Sequence, residues 1–233
     1  MITPFGFFTG QTQHNVTRFG LLAAVMFAGA PLVQAAVSVS NLLSPHASPG
    51  YEFVEDRLVL GVREGQDLAN SFTTGGAPLN LVSISVAFAG GYGSGFTAYL
   101  YDNAGGAPGT MLLTLNGQVD PHGGGLFDYS PTGSYTALAN TIYWAVLVAD
   151  HTAPDRQFPV YSVADSNQIG DPGWSIGDNF SSRKVTNGVA DIWIGSKSDT
   201  PLQFAVNTSA VPEVSTSFAL LSGMILLGSR RRR

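Results

Sequence analysis

Four sets of side chains in this chain are of types that could do chemistry. Asp120 with His122, and Asp150 with His151, place a carboxylate next to an imidazole, a donor pair suited to zinc and other divalent ions. Nothing in that spacing is diagnostic of a metal, and solvated loop residues account for it, so no metal ligand is assigned. Asp165, Asp171, Asp178 and Asp191 are oxygen donors of the kind calcium takes, but no D-x-D-x-D-G loop contains them. A structural Ca²⁺ is thus admitted without a ligand set, and no other cofactor is expected. Gly93-Ser94-Gly95-Phe96-Thr97-Ala98 matches a degenerate G-x-G-x-x-A, with Gly91 just before it. A dinucleotide fingerprint must open a helix, whereas the residues that follow alternate as a strand does, so a β-hairpin loop is expected here. Ser94 lies outside any G-x-S-x-G, which leaves a hydrolase nucleophile elbow without support.

Aromatic rings are the better candidates. Tyr99 and Tyr101 fall on the polar face of their strand, opposite Phe96, Ala98 and Leu100, Trp174 falls in a Gly-rich loop, and Trp193, which alternates with Ile192 and Ile194, could join them. With Asp102, Asn103, Asp178 and Asn179 nearby in sequence, Tyr99, Tyr101 and Trp174 are the candidate sugar-binding residues of a flat stacking platform. The alternative is that the rings are packing: Trp144 and Trp193 would fill the core while the tyrosines cap an edge. No pair of carboxylates can be placed at the roughly 5–10 Å that glycoside chemistry requires, and no catalytic residue is assigned.

The elements that must position these residues are strands. With 28 Gly, 13 Pro and 12% charged residues in 233, the chain is long enough for one domain with a core and too rich in glycine for a helical one. Apolar and polar residues alternate over 81–88, where Val82, Ile84, Val86 and Phe88 share a face, and again over 96–101, 111–115, 141–149 and 202–206. Weaker strands are expected at 37–42, 58–62, 70–73, 126–130, 158–163 and 191–195, separated by turn clusters such as Asp102-Asn103-Ala104-Gly105-Gly106. About ten short strands, each with one wet face, predict an all-β domain: a single antiparallel β-sandwich, jelly-roll-like. Cysteine is absent, which excludes disulfides and a thiol nucleophile.

Both ends of the chain differ from this body. Residues 1–18 contain no acidic side chain and end in Arg18, 19–33 are apolar, and Val33-Gln34-Ala35 offers small residues where a signal peptidase reads them. A signal peptide over 1–35 is expected, cut between Ala35 and Ala36 or, second, after Ala36. At the other end, Val211-Pro212-Glu213-Val214 precedes an apolar run from 218 to 227 and then Arg230, Arg231, Arg232 and Arg233. A helix over 214–229 would rise roughly 24 Å, somewhat short of the ~30 Å hydrocarbon core, and the arginines would reach the headgroups by snorkelling. Basic flanks stay cytoplasmic, so both ends specify a body outside the membrane. Of 11 basic residues five lie outside 36–210, and of 16 acidic residues only Glu213 does, which leaves the body at −9. Such a body has no basic surface for nucleic acid and favours sugars, cations or proteins.

The Pro-Glu motif, the apolar segment and the terminal arginine block together resemble the PEP-CTERM sorting tail of Gram-negative bacteria. Val214 stands where that family normally has proline. The resemblance implies a C-terminal sorting tail over 211–233 whose short membrane helix engages the membrane transiently, recognition and cutting near Pro212 by an exosortase, and delivery to the outer surface or beyond. It also implies a structural role, without enzymatic activity, alongside exopolysaccharide in biofilm or floc formation; a secreted carbohydrate-binding module is the alternative, and a polysaccharide-degrading enzyme a more distant one. Within the body, Ala69-Asn70-Ser71-Phe72-Thr73-Thr74, Tyr99-Leu100-Tyr101-Asp102 with Gly105-Gly106-Ala107-Pro108-Gly109, and Ala139-Asn140-Thr141-Ile142-Tyr143-Trp144 resemble the choice-of-anchor R domain. That resemblance implies an extracellular β-sandwich and carries no catalytic residues.

Overall fold

The computed structural model describes residues 34–43, 50–59, 62–93, 95–150, 155–163, 168–185, 193–196 and 200–211. These form fourteen strands: β1 (Ala36–Ser40), β2 (Gly50–Val59), β3 (Val62–Thr73), β4 (Leu79–Phe88), β5 (Phe96–Ala104), β6 (Ala107–Asn116), β7 (Gly125–Pro131), β8 (Tyr135–Ala137), β9 (Ile142–Ala149), β10 (Arg156–Ser162), β11 (Ile169–Gly170), β12 (Ser175–Val185), β13 (Trp193–Ser196) and β14 (Phe204–Ala210). Among the described residues there is no helix, so the all-β expectation holds. The signal peptide and the membrane helix fall outside the described residues.

Hydrogen bonding runs continuously through β10-β2-β3-β9-β5-β6-β7-β4, and β4 returns to β10 where Phe88 pairs with Val160. Eight strands therefore close into a β-barrel, and the ring itself has no open edge. Two branches leave the ring. β14 lies along β4 and carries β1 and β11, while β12 lies along β3 and carries β13. The first and last strands of the body, β1 and β14, are thus antiparallel neighbours, with Ala36 opposite Thr208 and Val37 opposite Asn207.

Alternation fills the interior. Phe96, Ala98 and Leu100 of β5 meet Ile84, Val86 and Phe88 of β4 and Phe158 and Val160 of β10 in one buried cluster. Rings do most of the filling: Phe96 lies 5.4 Å from Phe88, 5.2 Å from Phe158 and 5.9 Å from Tyr129, in tilted or offset pairs that suit ring quadrupoles. Burial raises the Tyr129 phenol well above the usual tyrosine range, and its hydroxyl donates to the Gln118 carbonyl at 2.9 Å.

Several local expectations change. In β4 the register against β14 shifts between Ser83 and Leu81, leaving Val82 as the extra residue of a bulge, so Leu81 rather than Val82 joins the core. The Ser83 and Ser85 face is not wet: both hydroxyls accept from the Asn207 side-chain amide, at 3.0 and 2.9 Å, and both residues are buried. The stretch 58–62 is no strand of its own, because β2 ends at Val59 opposite Val62, where β3 begins. Residues 89–95 do not join a hairpin. β4 and β5 are not neighbours, and Tyr92 exchanges backbone hydrogen bonds with Gln157 of β10, at 3.0 and 3.1 Å. Glycine is required there: at φ +80° a Cβ on Gly93 would stand 2.7 Å from the Arg156 Cβ.

Candidate functional site

The void among Ile84, Ala98, Leu115 and Tyr129 in the barrel core measures about 10 Å³, room for no more than a water. Outside the ring, β9 points to a larger space. Ile142-Tyr143-Trp144-Ala145-Val146-Leu147-Val148-Ala149 is apolar without alternation, the pattern of a strand covered on both faces. Tyr143, Ala145, Leu147 and Ala149 face the barrel core. Trp144 and Val146, with Ala69 of β3, form a second buried cluster, against which Tyr99, Tyr101, Val148, Phe180 and Trp193 pack.

Register explains how these residues meet. Tyr99 lies opposite Val146 and Tyr101 opposite Trp144 across β5 and β9, while Ala69 lies opposite Val146 on the far side of β9 and opposite Phe180 of β12. The Phe180 ring stands edge-on to Trp144 at 5.2 Å, and the Trp144 Nε1–H donates to Asn103 Oδ1 at 3.0 Å, so the buried indole is held from two sides. Beside this floor opens a groove of about 300 Å³, lined by Asp67, Tyr99, Tyr101, Met111, Val148 and Trp193. That volume is at the lower end of the roughly 300–1,000 Å³ of ligand pockets. Asp67 is only 3% exposed, and its carboxylate accepts from the Ala149 N–H at 2.9 Å and from the Ser182 hydroxyl at 3.1 Å. Met111, by contrast, is half exposed at the rim.

Of the three rings expected to bind sugar, the fold brings together two. Tyr99 and Tyr101 line the groove, but their rings are nearly perpendicular, 79° apart with centroids at 6.2 Å, so they do not form one flat platform. Trp174 is a correction. It is buried in the barrel core and stacks on Phe72 at 6.4 Å with planes 6° apart, because the Asp171-Pro172-Gly173 turn folds it inward over Gly75. Trp193, weighed both for the platform and for the core, lines the groove. Asp67 escaped sequence reading because Arg63, Glu64, Gln66 and Asp67 make the first half of β3 look like a loop. The signal that could have found the groove is the unbroken apolar run of β9, which requires a cover on its outer side.

The remaining candidates are structural. Asp120 accepts from the Gly95 N–H at 2.9 Å, the His122 Nδ1 lies 3.1 Å from the Gly91 carbonyl, and Asp150 pairs with the buried Arg156 at 3.1 Å. Arg156 in turn donates to the Gly95 carbonyl at 2.8 Å, so these groups pin the glycine loop. Asp102 is used by the Thr110 N–H, and Asn179 is buried, its amide donating to the Thr200 carbonyl at 3.1 Å. Asp171 and Asp178 are exposed; His151, Asp165 and Asp191 lie outside the described residues. Among the described residues no three acidic or histidine side chains gather as metal ligands. Ala35 and Ala36 are exposed at the start of β1, and Val211 is exposed one residue past β14. Pro212, Glu213, Val214 and Arg230 to Arg233 lie outside the described residues. Comparison with protein-family models, with curated proteins and with solved structures finds no match to this chain.

Proposed function

We propose that this is an exported, non-catalytic protein of the cell surface or extracellular matrix, trimmed by signal peptidase between Ala35 and Ala36 and by an exosortase at Val211-Pro212-Glu213-Val214. Its partner is exopolysaccharide, in biofilm or floc. The observation that carries the reading is the pairing of β1 with β14: Ala36 sits opposite Thr208, and β14 ends at Ala210, directly before the sorting motif. The start of β1 and the end of β14 therefore lie at one pole of the body. One membrane-facing pole can present both to membrane enzymes, and both cuts leave the two strands whole. In this proposal the barrel is flattened into two packed layers, sandwich-like, with β12 extending one layer and β14 with β1 the other. Cell fractionation with and without Arg230 to Arg233 tests it: the intact chain is expected outside the inner membrane, and the truncated one is expected to miss that destination. Equal distribution of the two forms overturns the sorting reading.

A specific observation favours a second, compatible reading, a carbohydrate-binding module. The 300 Å³ groove combines aromatic walls with a carboxylate, which is how sugar sites join apolar ring contacts to hydroxyl acceptors. Retention of the full chain on an exopolysaccharide affinity gel, lost on Tyr99→Ala with Trp193→Ala, is the expected result. Unchanged retention would place sugar contact elsewhere or nowhere.

A further inference from the structure

We infer that the groove between Tyr99, Tyr101 and Trp193 is a cage for a protonated amine, so that its ligand is an amino-sugar unit with a free ammonium group and not a neutral hexose. This rests on the reading of the body as a polysaccharide-binding module and names the sugar class.

Three features of the molecule lead there. The first is ring geometry. A neutral sugar stacks its apolar face on one broad ring plane, whereas Tyr99 and Tyr101 stand at 79° with centroids 6.2 Å apart, two walls of a corner. Trp193 lines the same groove, so three rings border it. Ring faces carry the negative part of the quadrupole, so a compact cation gains from several rings at once. The second is the carboxylate. Asp67 lines the same groove next to Val148 and sets a carboxylate beside the rings. An ammonium offers it three donors, while an N-acetyl group at the same carbon offers one and adds bulk to a space of about 300 Å³. The third is the long-range field: residues 36–210 carry six basic and fifteen acidic side chains, a balance that draws polycations and repels acidic polysaccharides.

Met111 supplies a test that leaves the floor intact. It lines the groove yet is 50% exposed, so a lysine there adds a repelling charge without opening the core. The full-length chain in mild detergent is titrated by calorimetry with a β-1,4-linked glucosamine tetramer and with its fully N-acetylated counterpart, and applied in parallel to exopolysaccharide from the producing culture. The free-amine tetramer is expected to bind at least about tenfold more tightly than the N-acetylated one, the difference expected of a desolvated cation among rings. Met111→Lys is expected to abolish that preference with an unchanged melting temperature, Met111→Gln to keep it, and Trp193→Ala to weaken amine binding. Equal affinity for the two tetramers overturns the cage and leaves the sugar reading standing, as does retention on exopolysaccharide without affinity for the amine tetramer. Amine binding untouched by Met111→Lys also overturns it. Absence of binding to both tetramers and to exopolysaccharide overturns the cage together with the reading it rests on.

Discussion

Replacing Trp174 with alanine separates a ring that builds the fold from rings that line the groove. Trp174 is 9% exposed and stacks on Phe72, itself in contact with Tyr143 and Phe204, so the indole closes one end of the barrel core. A buried indole covers roughly 150–250 Å², which at ~25 cal/mol/Å² corresponds to about 4–6 kcal/mol as an upper bound. Measured truncations of this kind centre on about 3–5 kcal/mol, because the site relaxes only in part. Gly75 limits that relaxation: a Cβ there would stand 2.7 Å from the indole, so the neighbouring backbone already lies against the ring. At about 2–4 °C per kcal/mol for a domain of this size, Trp174→Ala is expected to lower the melting temperature by roughly 6–20 °C. Circular dichroism melts provide the assay, with affinity for exopolysaccharide measured well below the transition. Binding should be unchanged, since Trp174 does not line the groove. A shift under about 2 °C, or lost binding without a shift, would refute the burial argument.

Gly93→Ala should cost more than about 1 kcal/mol, because φ +80° and the Arg156 backbone 2.8 Å away leave no room for a methyl group, whereas Gly76→Ala, open on all sides, should stay within about 0.5 kcal/mol; equal melts for the two would contradict the packing of the glycine loop on β10. Above pH 10 the unfolded Tyr129 phenol loses its proton while the folded one keeps it, so the unfolded state binds fewer protons and stability falls as pH rises, by up to about 1.4 kcal/mol per unit. Tyr129→Phe should flatten that part of the alkaline melt series, and an unaltered slope would show that the phenol is not held neutral by burial. Val214→Pro introduces the residue usual in the sorting tails this one resembles and, under the proposed function, is expected to raise the fraction of chain processed, read by immunoblot; a lower fraction would count against exosortase recognition.

The legible parts of the fold were those where one physical signal dominated. β4, β5 and β9 are apolar enough that period and turn residues place them, and their observed limits agree within a few residues. β3 and β12 were hard because much of what they bury is polar: Asn70, Ser71, Asn179 and Ser182 are buried, and the Asn70 side chain satisfies the Ser71 and Gly177 carbonyls, both at 3.1 Å, and the Leu202 N–H at 2.7 Å. A composition that reads as loop is a strand when its polar groups find one another across the sheet. The hairpin expected at 89–95 failed for a different reason, since strands consecutive in sequence need not be neighbours, and the glycines there serve a crossing onto β10. At the groove, Tyr99 and Tyr101 were readable from alternation alone. Asp67, Met111 and Trp193 come from three other strands, and only the register of β3, β6 and β12 with β13 brings them to one place.

The proposed double cut, before Ala36 and beside Pro212, releases the body from the membrane. Intact mass spectrometry of the native protein, recovered separately from the inner membrane and from the cell exterior, measures this directly. The account predicts an exterior species beginning at Ala36 and ending beside Pro212, with the arginine block removed. A single species that retains Arg230 to Arg233 and stays in the inner membrane would contradict it.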